Sequence, residues 1–468
     1  MLVERGSMTN RRSFSPCCRA LILAVLCLPQ AVLVRADDVV TDSEFRLKPE
    51  WSGPCRYADV IDVNLGNSPE AFIRAAYGQV TGQEPSGERV AAWAARLRTD
   101  THLRRIDVVR SFCKESGRNC KLRYSDPWLN NPDLAAPCVK NTKRDVGAVV
   151  MFFFHCPGGV NCGMDWANTH AYGMGQPSPI LAWGDQAAGV YDAGNPGFWR
   201  RELRDARFAG LDFILPNVYG PDMLQEGKVA TLAAALRQEQ DPVKVGLFDD
   251  TWAWGEKWFG PYWLAKPDLS DTEAAASKLY EAKWKPFFTQ VPRKYWYEVD
   301  RKPFICFYNS NKLKPRRASS AVLSRMKQMF RRDFGVDPFL FVDRAYFEDR
   351  NMPAVADAKF IWDTIDLPGG ISRFKMKGHT LCHAMVKWDS LGRDHRGAIA
   401  AATDKLLKGP ERLEQVLRDS ADADILMIGT WNDLGEGTGV HRNYDYYYRG
   451  QWLPPDYFMR LIRQSQCR

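Results

Sequence analysis

The chain is poor in the residues that usually hold metals. Only seven of its 468 residues are His, none at a ligand spacing, and its 12 Cys include no Cys-x-x-Cys pair, so neither a metal nor a cofactor is expected. No Gly-x-Ser-x-Gly elbow occurs, which weakens a lyase or esterase reading. Lys and Arg outnumber Asp and Glu by 64 to 56, but they are scattered rather than gathered into a stripe. That distribution gives no reason to expect nucleic acid as a partner. Beyond the N-terminal segment no run is long and apolar enough to cross a bilayer.

What the N-terminus does have is the pattern of an export signal. Arg11, Arg12 and Arg19 precede an apolar segment over 20–33, and Val34-Arg35-Ala36 offers a cleavage site. Cleavage after Ala36 removes five Arg and one Glu, taking the formal charge from +8 to +4. The mature protein is then expected outside the cell or in the periplasm, with no stable membrane insertion. Cys17, Cys18 and Cys27 leave with the signal, so nine Cys remain. Cys113 with Cys120, and Cys156 with Cys162, are spaced to close short loops in an oxidising compartment, and Cys55 could pair with Cys138. Cys306 and Cys382 sit in apolar runs as expected for buried thiols, and Cys467 is left over.

After an extension over 37–67, residues 68–123 show a helical period, with Phe72, Ile73, Ala76, Tyr77 and Val80 on one face and a break over 82–87. Tyr77, Gly82-Gln83-Glu84-Pro85, Gly87 and Trp93 resemble the hallmark of small modules related to phycobilisome linkers, and that resemblance implies no chemistry. A Pro- and Asn-rich connector over 124–145 separates this module from the rest.

From 146 to 468 apolar runs alternate with amphipathic stretches. Strands are expected at 146–154, 211–215, 243–248, 303–308, 338–342, 359–362, 381–386 and 425–429, with helices between several of them. Eight such units predict an α/β fold, a (β/α)8 barrel, with a doubly wound open sheet as the alternative. The open sheet is disfavoured because no Gly-rich phosphate loop follows the first strand. In a barrel the chemistry sits at the carboxyl ends of the strands. Polar residues recur there: His155, Asn217 and Tyr219, Asp249 and Asp250, Asn309, Asp343, Asp363, Trp388, and finally Asp433 with Glu436. The loop after the third strand, TWAWGEKWFGPYW, adds Trp252 and Trp254 among five aromatics suited to stacking on sugar rings. At the eighth strand end Trp431, Asn432 and Tyr444 flank the acid pair, a composition suited to a stacked sugar whose glycosidic oxygen is protonated.

TWNDLGEGTG is similar to the Phe/Trp-Asn-Glu-Trp-x-Glu-Gly-Thr segment of the endo-α-mannosidase family of glycoside hydrolases and their bacterial polysaccharide-locus relatives. The likeness extends to FWRRELRDARFAGLDFILPNVYG, VGLFDDT and KPFICFYN. The resemblance implies a (β/α)8 barrel and a glycan or polysaccharide substrate, cleaved with retention through an anhydro-sugar. It also implies that Asp433 takes the proton of the sugar 2-hydroxyl while Glu436 protonates the leaving oxygen. Asp433 stands where the family has Glu, one methylene shorter, and Leu434 replaces the usual Trp. A conventional double displacement with Asp250 as nucleophile is therefore the alternative mechanism. A barrel that binds glycans without cleaving them is the alternative function.

Overall fold

The structure is a computed structural model that describes residues 60–62, 68–99, 105–118, 121–123, 138–152, 193–194, 196–218, 224, 227–251, 266–308, 313–386, 409–433, 438–442, 447–448, 451–454 and 456–467. Three helices, α1 (Pro69–Thr81), α2 (Gly87–Thr99) and α3 (Arg105–Glu115), lie between two short strands, Val60–Asp62 and Lys121–Arg123, which pair in parallel, so this N-terminal region is not all-helical as its period suggests. Ser68 caps α1, its hydroxyl accepting from the Ala71 amide, and Pro69 occupies the first turn, where its missing N–H costs nothing. Phe72, Ile73, Ala76 and Val80 are buried as their period predicts. Tyr77 and Trp93 meet Phe112 edge-on, at centroid distances of 5.3 and 5.5 Å.

Eight parallel strands follow: β1 (Asp145–Val150), β2 (Phe213–Val218), β3 (Leu247–Asp250), β4 (Lys302–Tyr308), β5 (Phe339–Asp343), β6 (Ala358–Phe360), β7 (His379–Ala384) and β8 (Ile425–Ile428). Their order in the sheet is β6-β5-β4-β3-β2-β1-β8-β7, so chain neighbours are sheet neighbours and β8 closes on β1. This is a nearly closed (β/α)8 barrel. Helices α4 (Pro196–Ala209), α5 (Lys228–Gln238), α6 (Thr272–Leu279), α7 (Lys285–Gln290), α8 (Ser319–Phe334), α9 (Gly409–Asp419) and α10 (Tyr457–Gln466) are described around it.

The ladder is interrupted between β6 and β7, where an antiparallel strand, Ser372–Met376, precedes β7. Side chains bridge the gap. The Ile361 amide donates to Ser372 Oγ (3.3 Å), the Met385 amide to Thr364 Oγ1 (2.7 Å), and the His383 ring meets the Ile361 carbonyl through Nδ1 (2.8 Å). The buried backbone groups of Ile361 and Met385 are thereby satisfied without a ladder.

The lower end of the barrel is filled by large side chains. Phe213 lies against Gly147, where a Cβ would come within 2.2 Å of its ring, so β1 must carry glycine there. Tyr297 stacks on Phe213 at 3.8 Å, and its hydroxyl donates to Asp145. At this same end the C-terminal helix is tied to the entry of β1 by a disulfide between Cys138 and Cys467. The expected Cys55–Cys138 pair is thus replaced, and Cys467 is not left over. The physical reason is that α10 returns to the start of β1, with the Asn141 amide bonded to the Gln466 carbonyl at 2.9 Å. Cys113 is also in a disulfide, while its expected partner Cys120, with Cys156 and Cys162, lies outside the described residues. Cys306 and Cys382 are buried free thiols, as their apolar runs predict. Among the described residues no helix is long and apolar enough to cross a membrane.

Because the Cys138–Cys467 bond closes a separation of 329 residues, Cys467→Ser should cost about 2–4 kcal/mol through the freer unfolded chain. The thermal midpoint should fall in the oxidised protein, and the gap from wild type should narrow under reductant.

Candidate active site

Strand register decides which strand-end side chains face the barrel interior. Paired residues on adjacent strands point to the same side, and neighbours along a strand to opposite sides. Asn217 pairs with Phe248, and Asp250 with Tyr308. Phe248 packs against Trp362 (5.0 Å) and Tyr308 (5.7 Å) in the interior, which places Asn217 and Asp250 there too. Asn217 Nδ2 lies 3.1 Å from Met151 Sδ and 3.5 Å from Asp250 Oδ2. Its Oδ1 is buried and has no hydrogen-bond partner among the described residues.

Asp249 points the other way. It is fully buried, accepts from Lys283 Nζ at 2.9 Å and from Trp284 Nε1 at 2.7 Å, and so belongs to the packing of the barrel wall on the π-helical turn Tyr280–Trp284. The expected substrate contact at Asp249 is replaced by this buried ion pair. Strand alternation is the signal that separates the two adjacent aspartates.

The end of β8 is a framework in its own right. The Trp431 amide bonds Val149 O (2.7 Å), so the chain stays beside β1 three residues beyond the last β8–β1 ladder pair, Ile428 with Ala148. The Asn432 amide engages the backbone of Met151 at both ends, Oδ1 accepting from its N–H (2.7 Å) and Nδ2 donating to its carbonyl (3.0 Å). Trp431 is buried, and its indole donates to Glu202 Oε2 on α4 at 2.5 Å. Trp431 and Asn432 therefore hold the loop rather than face a sugar. Behind them Arg442 Nε bonds Asp205 Oδ2 at 3.0 Å. Thr430 Oγ1 meets Thr438 Oγ1 at 2.7 Å and accepts from the Asp433 amide at 3.1 Å, which draws the two ends of the acid-bearing segment together. Gly429 lies under Trp362 and His383; a Cβ there would come within 2.5 Å of His383 Nε2.

Asp433 is 7% exposed at this strand end. Asp363 is exposed after β6, accepting from the Ile365 amide at 3.4 Å. Glu436, His155, Tyr219, Trp252, Trp254, Asn309, Trp388 and Tyr444 lie outside the described residues. Two partly exposed aromatics not singled out from the sequence, Tyr308 and Trp362, stand among the described groups. Asp343, at the end of β5, is held up at about 6 by burial, against the amide of Ala345 and the nearby Arg344 and Arg316. Glu202 is pushed up to about 7, first by burial and then by Asp205.

Residues 169–465 match the family described as Domain of unknown function (DUF5010). The chain belongs to that family. No curated protein matches it. Among solved structures it is similar to the GH99 endo-alpha-mannosidase from Bacteroides thetaiotaomicron in complex with bis-tris propane, at 10% identity and a TM-score of 0.47, over 68% of this chain and 95% of that one. A second structure of the GH99 endo-alpha-mannosidase from that organism gives 13% and 0.44 over the same shares. A glycoside hydrolase-like protein gives 11% and 0.37 over 70% of this chain and 94% of its own. The barrel of this DUF5010 member rests on its own strand order and register.

Asp249→Ala should destabilise the fold by about 3–5 kcal/mol, because the buried Lys283 ammonium loses the carboxylate of its ion pair. Asp250→Ala should cost much less; equal losses in thermal midpoint would refute the assignment of facing directions. Glu202 has a raised folded value, so its stabilising contribution is full below its ordinary value of 4.5 and is lost as pH rises through about 7. Glu202→Gln keeps an acceptor for Trp431 and removes that slope. Its stability relative to wild type should rise between about pH 4.5 and 7 in a series of thermal melts.

Proposed function

We infer that the chain is an exported glycoside hydrolase that cleaves an α-linked glycan or polysaccharide with retention, Glu436 acting as general acid/base and Asp433 as its partner. The observation that carries this reading is the placement of the TWNDLGEGTG segment. It starts at the carboxyl end of β8, where the Asn432 clamp and the Thr430–Thr438 contact hold Asp433 at the barrel mouth. Chemistry in such barrels sits on that face. Export is supported by the N-terminal signal pattern and by the disulfide, a bond that persists in oxidising compartments.

The resemblance assigns Asp433 to the sugar 2-hydroxyl and Glu436 to the leaving oxygen, and the shorter Asp side chain asks the substrate to sit deeper. The double-displacement alternative uses Asp250, whose carboxylate faces the interior beside Asn217. Mass spectrometry after a 2-fluoro glycoside trap separates the two: a covalent adduct on Asp250 supports double displacement, and none is formed on the anhydro-sugar route. The second functional reading, a glycan-binding barrel without catalysis, is favoured by Asp433 standing in place of Glu. Calorimetric binding with no release of reducing ends would support it.

Glu436→Gln should lower turnover of α-mannans or bacterial exopolysaccharides at least about a hundredfold, the usual range for a general acid. Undiminished turnover in that variant would end the assignment.

A further inference from the structure

A second set of groups, on β2 to β6 rather than β8, stands at the same barrel mouth. Asp250 pairs with Tyr308, and one residue past the last β4–β5 pair, Phe307 with Val342, stand Tyr308 and Asp343. Asp343 in turn pairs with Phe360 on β6, two residues before Trp362. Asp250, Tyr308 and Asp343 thus form one inward row across three adjacent strands. At about 4.8 Å per strand the two carboxylates flank Tyr308 with Cα atoms about 10 Å apart, a width that takes a six-membered ring between them. Trp362 closes the row, half-buried, packed on Tyr308 (5.1 Å) and stacked on His383 (5.0 Å). Beside the row, Asn217 Oδ1 is a buried acceptor without a hydrogen-bond partner among the described residues, 1% exposed at the level of its residue.

These groups ask for a particular kind of ligand. Asn217 Oδ1 and the two carboxylates accept hydrogen bonds, so the ligand must bring several donors. The half-buried Tyr308 and Trp362 rings offer apolar faces, so it must also bring an apolar face. Arg344 and Arg316 lie close enough to Asp343 to offset its charge, which favours hydroxyl donors over an amine. We propose that Asn217, Asp250, Tyr308, Asp343 and Trp362 form a subsite for one neutral pyranose ring, seated on Trp362 and Tyr308 with its hydroxyls bonded to Asn217 Oδ1 and the flanking carboxylates. An acceptor left buried and unsatisfied costs free energy, and a sugar hydroxyl removes that cost on binding. Asp343 and Trp362 are then specificity-determining residues. This rests on the hydrolase reading for its substrate class, yet it uses none of the β8 acids.

The test uses Glu436→Gln as an uncleaving background and neutral α-manno-oligosaccharides as the probe, with binding read by calorimetry. Adding Trp362→Ala or Asn217→Ala should weaken binding at least about tenfold, one lost contact of about 1.4 kcal/mol. Asp343→Asn, which keeps an acceptor for the Ala345 amide, should weaken it without lowering the thermal midpoint. Trp362→Phe guards against misfolding, since it preserves an aromatic floor and should bind between wild type and Trp362→Ala. Binding that is unchanged in Trp362→Ala and Asp343→Asn overturns the subsite while leaving the hydrolase reading intact. Binding that these variants abolish, in a protein whose Glu436 form never releases reducing ends, upholds the subsite and removes the hydrolase reading. If no member of the series binds or cleaves the probe, the subsite is overturned as well.

Discussion

A ring of eight parallel strands exists only if the last strand finds the first, and here that closure continues into the loop that bears the acids. After the β8–β1 ladder ends, the Trp431 amide takes the Val149 carbonyl and the Asn432 side chain takes both backbone groups of Met151. A side-chain amide supplies one donor and one acceptor in a fixed geometry, so it can continue a ladder where the backbone has turned away. The position of Asp433 is inherited from this joint. Among the described residues, the bonds of the Asn432 side chain to Met151 and of the Asp433 amide to Thr430 Oγ1 hold it.

Behind the joint, charge is buried and must be compensated. Glu202 and Asp205 on α4 face Trp431 and Arg442 from the region of β8, and all four are at most 2% exposed. Burial is the larger cause of the raised value of Glu202 and the Asp205 carboxylate the next, and together they outweigh the lowering by Arg201, the Trp431 indole and Arg442. The contrast with Asp249 is instructive. Its single buried charge has Lys283 and the Trp284 indole, a complete set of partners on one helical turn.

Much of the architecture was legible from short-range pattern. A buried parallel strand is a short apolar run bounded by polar residues, and eight such runs with helices between them leave few alternatives to a barrel. The same logic placed Asn217, Asp250 and Asp433 at strand ends. It did not foresee that Trp431 and Asn432 belong to the framework. A Trp beside two acids has the composition of a sugar platform, and nothing local shows that α4 passes behind it. Nor did it single out Tyr308 and Trp362, which read as the ends of apolar strands until the register set them beside Asp343.

The sequence by itself determined the eight strands, the buried thiols Cys306 and Cys382, and the edge at which the polar residues collect. Those follow from residues within a few positions of one another, through strand alternation and apolar run length. Tertiary structure alone decided that Asp249 turns to the wall while Asp250 turns inward, that Glu202 holds Trp431 from 229 positions away, and that Cys138 joins Cys467. The reason is physical: facing direction and partnership are set by what lies across the sheet or behind it, and in a closed barrel those neighbours come from the far end of the chain.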